Sequence, residues 1–574
     1  MKKHYILAIL TSLYIVLLCY FSKIGVHLPY GDGVEYVLIT ESFVNHGSPD
    51  LRGEDAAEYM AKLNKKGLEI HRKGDFIKTA NVGSEGVTLL GYFPSLRNNK
   101  IYGYHFWFYS LLAAPARLVL EQLDEDIRLA HLATNLFFIF LALWVFLTYS
   151  KFTWGEKIVF SLLFLFSPIL WYIDWAHTEV YSGVLVFVAI FYYYTDRKYI
   201  TLLLVSLASL QNQALFVLAL LVFIELLIKN GLGVKNLLKL FFSSFWIIIP
   251  LCFYYYHFND FSLINNEGYI DVNNISLKRL WSFFFDLNQG MIIGFPLIFF
   301  LLVGLLIKDL IQRRVKSYYM LLASILLMSL LIMQTTNWNH GSSVINRYTV
   351  WCSVIIVVVL FFRIRNWKKM TFYKVSSVII ISQVFIITQQ IDYSEVKWHA
   401  NHLNKLSKYI FANYPGLYNP EPQIFMGRVS LYELSSTDSV RTYTNDSEEI
   451  VKMLVKEGAL DQLKLRGINP SKVDSLKEQV TYYQGYAYIN KDDLNQLGYV
   501  QSKDEFIPVV ERKKVETIKK NYADRIKADP DWFNQVKISA ENENVSVDSI
   551  MTRAVDYVYQ LDYNKFEKNK RLSD

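Results

Sequence analysis

The sequence predicts an α-helical polytopic membrane protein with a long first outer loop and a C-terminal soluble region, part α+β and part helical. Three observations predict it. Apolar residues make up 52% of the 574 and charged residues 19%, too apolar for a soluble chain and too charged for one wholly in lipid. Runs approaching the roughly 20 apolar residues that cross a bilayer recur as far as residue 391. Beyond that point they stop, and charged and polar residues take over. An aromatic share of 16% excludes disordered and fibrous classes. The net charge of +7 is modest and spread through short clusters, so binding of nucleic acid has no support. Cys19, Cys252 and Cys352 all lie inside apolar runs, which leaves no disulfide framework or cysteine metal site for the wet parts.

Taken in order, the first run, 5–22, follows Lys2 and Lys3 as a signal peptide would. It is full length and lacks a small-x-small cleavage site, so it reads as an uncleaved anchor. Residues 23–126 form the first outer loop, rich in charges and in glycine (Gly67, Gly74, Gly83, Gly86, Gly91) and far longer than a connector needs, a feature of functional loops. Further spans are expected at 127–149, 157–173, 178–195, 199–228, 236–257, 289–308, 317–334, 347–363 and 373–391. With Lys2 and Lys3 inside, the short basic loops all fall inside as the positive-inside rule asks, on two conditions. The apolar stretch 105–120 must lie on the surface rather than cross, and 199–228, basic at both ends, must cross twice with a break near Gln211, Asn212 and Gln213. About 11 spans follow, with the N-terminus cytoplasmic and the C-terminal region outside.

The organisation is therefore a membrane domain over 1–391, a soluble α+β region over 392–514 and a helical tail over 515–574. In the middle region 423–429 and 481–490 read as strands and 447–457 as a helix. In the tail Asp529-Pro530 opens one helix, and Ser546 or Asp548 caps a last one carrying Ile550, Ala554, Val555, Val558 and Leu561 on one face.

Polar residues at the span ends sort by side, and the candidates for chemistry all land outside. They are Gly31-Asp32-Gly33-Val34-Glu35-Tyr36 after the first span, Tyr104-His105 at the surface helix, and Asp174-Trp175-Ala176-His177-Thr178-Glu179 between the third and fourth spans. Asp286-Leu287-Asn288-Gln289-Gly290 lies before the eighth span, and Trp338-Asn339-His340-Gly341 with Arg347-Tyr348 before the tenth. Each has a plain structural reading. Asp32 serves as a helix cap, Glu179 as a first-turn acid favoured by the macrodipole, the histidines as interfacial residues, and Arg347 as a snorkelling cation. Convergence favours function, because acids, histidines and an arginine from five segments meet on one face where membrane-edge charge is costly. An acid there suits a general base toward a hydroxyl, and arginine with histidine suits phosphate oxygens. A sugar donor on a lipid phosphate combines these needs.

As a set, these segments resemble the bacterial polytopic glycosyltransferases of the GT-C fold, and are similar to the branch of protein O-mannosyltransferases and lipid A aminoarabinose transferases. The resemblance covers roughly 1–391. It implies Asp32 as the base, with Glu179 as a second acid ahead of Asp174 and Glu35 as a further catalytic candidate. Arg347, His105, His340 and Tyr348 are the candidates for holding the donor phosphate. His177, Asp286, Asn288 and Trp338 complete the candidate site. The lysine-proline-proline element that often opens the surface helix is replaced by Tyr104-His105-Phe106. The implied partners are a polyprenyl-phosphate sugar donor, a glycolipid or envelope-glycan acceptor, and membrane lipid. The resemblance fixes no cofactor and leaves a divalent metal open. Asp124-Glu125-Asp126 matches the acid-x-acid pattern of metal-dependent nucleotide-sugar enzymes but reads better as a helix start. Walker, Gly-x-Gly-x-x-Gly and His-Glu-x-x-His motifs are missing. The rival readings are a lipid-pyrophosphate glycan polymerase or ligase, and a lipid or solute transporter, which would place its site at the midplane between repeats.

Overall fold

The computed structural model describes residues 3–24, 31–66, 92–313, 318–339, 345–390, 403–429, 440–445, 449–461, 470–496, 519–520, 522–543, 546–552 and 554–555. His340, the five loop glycines, Val558 and Leu561 lie outside them. The chain divides into two compact units, Met1–Ile410 with Tyr418–Ser436, and Phe411–Leu417 with Thr437–Asp574.

The first unit is helical. Among the described residues six helices are long and apolar enough to cross a membrane: Lys3–Lys23, Ile127–Tyr149, Gln213–Asn230, Val234–Phe258, Arg347–Ile364 and Lys369–Thr388. This is the pattern of a polytopic helical membrane protein. The apolar helices Glu179–Tyr194, Lys198–Ser209 and Tyr318–Ile332 are shorter. Two expected spans are broken. Residues 157–173 become Trp154–Leu165, opened by a Thr153–Glu156 capping box, and the 3-10 turn Pro168–Tyr172. Residues 289–308 become Met291–Gly294 and Pro296–Ile311, the second opened by its proline. The run 199–228 breaks between Ser209 and Gln213, and the helices on either side pack together.

Burial ranks the helices. Arg347–Ile364 buries 78% of its apolar window and Lys3–Lys23 only 17%, so the first is enclosed by protein and the second is left facing lipid. The enclosed helix packs on Glu179–Tyr194, in a core built on Phe160, Phe164, Phe187 and Phe361, where Phe164 and Phe187 stack at 3.9 Å. The stretch expected on the surface is the helix Phe108–Gln122. At about 1.5 Å per residue it is too short to span a bilayer. Its buried face (Tyr109, Ala113, Arg117, Leu120) packs on the helix Asp32–His46.

The second unit holds an antiparallel sheet in the order β1 (Val440–Thr444), β2 (Ile450–Lys456), β3 (Tyr486–Asn490). Two sequence expectations fail here and in the first unit. The helix expected at 447–457 is the central strand β2: six successive residues from Ile450 to Val455 are buried, Lys452 among them, so both faces are covered and no two-residue alternation marks the strand. The strand expected at 423–429 is the helix Pro422–Val429, which starts on a proline and has its Gln423 N–H bound by the Glu421 carboxylate at 2.8 Å. Of 481–490, only Tyr486–Asn490 is strand. Tyr483 and Tyr486 close a tight turn in which Gln484 and Gly485 have φ of 51° and 75°. The tail behaves as expected where it is described: Pro530–Glu543 is helical, and Ser546 Oγ accepts the Ser549 N–H at 3.2 Å.

Candidate active site

Three helices begin at one place, Asp32–His46, Glu179–Tyr194 and Arg347–Ile364, and the loop before Phe108–Gln122 adds His105. Asp32 caps nothing. The N-cap is Gly31, at φ 53°, with no side-chain cap bond, so the carboxylate is left to the site. Arg347 Nη1 donates to Asp32 Oδ2 at 2.5 Å. The Thr178 N–H reaches His177 Nδ1 at 3.0 Å, and His177 Nε2 lies 3.3 Å from the same Asp32 oxygen. Arg347 Nη1 and His177 Nε2 both crowd this oxygen, only 2.9 Å from each other. His105 Nε2 stands 3.8 Å from that oxygen. Its other side is fixed by Glu35, whose two oxygens accept the His105 backbone N–H at 2.8 Å and the ring Nδ1–H at 2.9 Å. Arg347 Nη2 donates to the Tyr348 hydroxyl at 3.1 Å.

The surroundings make this geometry specific. Gly103 is required, since a Cβ there would stand 2.1 Å from Glu35 Oε1. Tyr36, buried, packs its ring 5.1 Å from His105 and 5.2 Å from His177, and Trp175 stacks on His177 at 4.5 Å. Asn135 holds the 173–175 loop through the carbonyls of Ile173 and Trp175. The break in 199–228 is part of the scaffold. Asn212 donates to Thr178 Oγ1 and Ser182 Oγ, and Gln211 to the Phe106 carbonyl.

The site is poised rather than saturated. Glu179 is fully buried against His177 Nδ1, yet neither carboxylate oxygen makes a hydrogen bond of good geometry, and Arg347 Nε is also buried without one. Buried polar atoms left so are rare in native proteins and mark strained or functional places. Arg347 sits at the positive end of its own helix, where a cation is disfavoured and an anion welcome. Burial alone would raise the Asp32 pKa, but Arg347, His105 and His177 outweigh it and hold the carboxyl well below its usual range. For His105 burial works downward, and Glu35 and Asp32 outweigh it against an opposing Arg347, lifting the pKa to about 8. Ionised Asp32 and protonated His105 therefore coexist at neutral pH.

Asp32, Glu35, His105, His177, Glu179, Arg347 and Tyr348 come together, and the other candidates occupy two further networks. Asp286 accepts the N–H groups of Asn288 and Gln289 and the Tyr418 hydroxyl at 2.7 Å, and Asn288 donates to the same hydroxyl. Trp338 donates its indole N–H to Ser282 and receives the Gln289 amide on its carbonyl. This network supports the site from behind, because the Asn346 N–H is bound to the Gln289 carbonyl. Asp174 lines a small cavity with Glu41, Arg117, Arg128 and His131. Asp126 accepts the Arg128 N–H and opens the turn Ile127–Leu129, the helix-start role expected of that acidic run. Among the described residues no three His, Cys, Asp or Glu side chains are grouped as a metal ion would need.

Sequence reading gave no role to Gly103 and Tyr36, and missed Asn135 and the buried Glu41–Arg117 pair. Only the pair left a signal, an arginine on the face of an otherwise apolar surface helix. Comparison with protein-family models, with curated proteins and with solved structures finds no match. Chemically, the cluster offers a carboxylate beside an anion grip of one guanidinium and one imidazolium, at the ends of apolar helices.

Proposed function

We propose that the chain is an inverting glycosyltransferase of GT-C type, moving one sugar from a polyprenyl-phosphate donor to a glycolipid or envelope-glycan acceptor on the outer face of a bacterial inner membrane. The observation that carries this reading is the Asp32–Arg347 pair flanked by His105 and His177, which puts a base and an anion grip within one hydrogen bond of each other. Asp32 Oδ2 takes the proton of the acceptor hydroxyl as that oxygen attacks the anomeric carbon. The bond from that carbon to the phosphate oxygen breaks, and polyprenyl phosphate leaves with the electron pair, held by Arg347 and His105. Paired as they are, the base and the grip neutralise each other. An arriving phosphate draws Arg347 away, and the proton affinity of Asp32 rises when it is needed. Glu35 acts through His105, since both its oxygens are committed there, and Glu179 acts through His177.

The test supplies the purified full chain with a synthetic polyprenyl-phosphate sugar and glycolipid acceptors. Release of polyprenyl phosphate with an inverted glycoside is expected. In a parallel reaction given a polyprenyl-pyrophosphate glycan instead, glycan transfer with release of polyprenyl pyrophosphate, and no use of the monophosphate sugar, would point to the polymerase or ligase reading. No release with any acceptor, together with lipid movement across vesicles, would replace the transferase by a transporter. For orientation, a cysteine at Ser471 should be labelled from outside and one at Ser317 should not.

A further inference from the structure

Away from the site, one place in the membrane unit sets cations that lack acidic partners beside open apolar surface. The helix Val234–Ser244 opens the candidate span Val234–Phe258 and buries only Asn236 and Leu240. Asn236 fixes the rotation of this helix, accepting from the Tyr199 hydroxyl and donating to the Gly231 carbonyl. The opposite face is therefore held outward, with Val234 74%, Leu238 52% and Phe242 62% exposed. Lys235 and Lys239 stand one turn apart on that face, and these residues with Tyr199 and Ser243 line an open cleft of about 820 Å³. Neighbouring lysines are already neutralised, Lys198 by Glu225 and Lys229 by Asp196. Among the described residues neither Lys235 nor Lys239 has an acidic partner, and Lys239 Nζ lies 5.2 Å above the Tyr199 ring.

We propose that this cleft seats one anionic glycerophospholipid, its phosphate between Lys235 and Lys239 and an acyl chain along Leu238 and Phe242. The charge pattern selects the occupant. Apolar side chains on the open face of a membrane helix belong against acyl chains, and two unpaired ammonium groups at its end belong at the headgroup layer, where an anionic head completes them. A zwitterionic head brings its own ammonium and cancels that gain, and a free phosphate leaves the apolar floor uncovered.

The full-length protein in neutral detergent is titrated with phosphatidylglycerol and with phosphatidylcholine, and bound lipid is counted by native mass spectrometry. Phosphatidylglycerol should bind more tightly. The double variant Lys235→Gln, Lys239→Gln should weaken it roughly thirtyfold, the product of two surface lysines, with phosphatidylcholine unchanged. Phe242→Ser should weaken both lipids, and Lys229→Gln neither. Equal binding of the two lipids, an unaffected double variant, an equal loss in Lys229→Gln, or full protection from unfolding by soluble glycerol phosphate alone would each overturn the proposal.

Discussion

Among the acid–arginine pairs of the first unit, Glu41–Arg117 and Asp32–Arg347 are built on opposite plans. In Glu41–Arg117 both side chains are 1% exposed, the contact is two-pronged at 2.5 and 2.8 Å, and the remaining arginine nitrogen is bound by Glu121 at 2.8 Å. In Asp32–Arg347 the acid keeps 36% of its side chain open, one prong reaches one oxygen, two histidines crowd that oxygen and Arg347 Nε has no hydrogen-bond partner among the described residues. The first pair is saturated and pins the helix Phe108–Gln122 to Asp32–His46, so loss of its arginine leaves a buried charge. The second is unsaturated and open, so a ligand can improve on it. Saturation of hydrogen bonds and burial together separate the closed pair from the open one.

The comparison can be broken in stages, beginning with the largest effect. Arg117→Ala should destabilise the protein by about 3–5 kcal/mol, because Glu41 is stranded, and a shift in the denaturant midpoint measures this. An unmoved midpoint would remove the contrast. Asp32→Asn keeps the shape and should move that midpoint little, while cutting turnover about 10²-fold in the donor assay. Retained activity would return Asp32 to a structural role.

Arg347→Lys keeps the charge and loses the fork, and should weaken donor use by about 1–3 kcal/mol with near-normal dependence on acceptor. Equal losses for both substrates would place Arg347 outside the donor grip. The smallest effect is in pH. The His105 pKa is raised from 6.5 to about 8, so its charge, and any stability it lends, is fully present below about 6.5 and lost as pH rises through 8. Donor affinity should fall through the same window, by less than about tenfold. In Glu35→Gln the fall should move to lower pH. A profile identical to wild type would separate Glu35 from His105.

Legibility differed between the parts of the chain. The broken run 199–228 was readable because a polar triplet in the middle of lipid-length hydrophobicity has to be a turn or a site, and Gln211 and Asn212 prove to brace Phe106 and Thr178. The strand β2 was misread because a strand buried on both faces carries no two-residue period, and Ile450-Val451-Lys452-Met453-Leu454-Val455 would suit a helix as well. The helix Pro422–Val429 was misread because its start is set by Glu421 and Pro422, just outside the run that looked like a strand.

By itself the sequence determined that the chain is a membrane protein, where apolar segments begin and end, and which ionisable residues stand at those ends. Length, hydropathy and the cost of charge near lipid are local properties, fixed residue by residue. Only the tertiary structure decided which of those residues meet. Asp32 and Arg347 are 315 positions apart and touch, whereas Asp174, three residues from His177, faces a different cavity with Glu41 and Arg117. Partnership depends on how helices pack and rotate, and packing is set by volumes and faces summed over the whole core, a sum that no single segment carries.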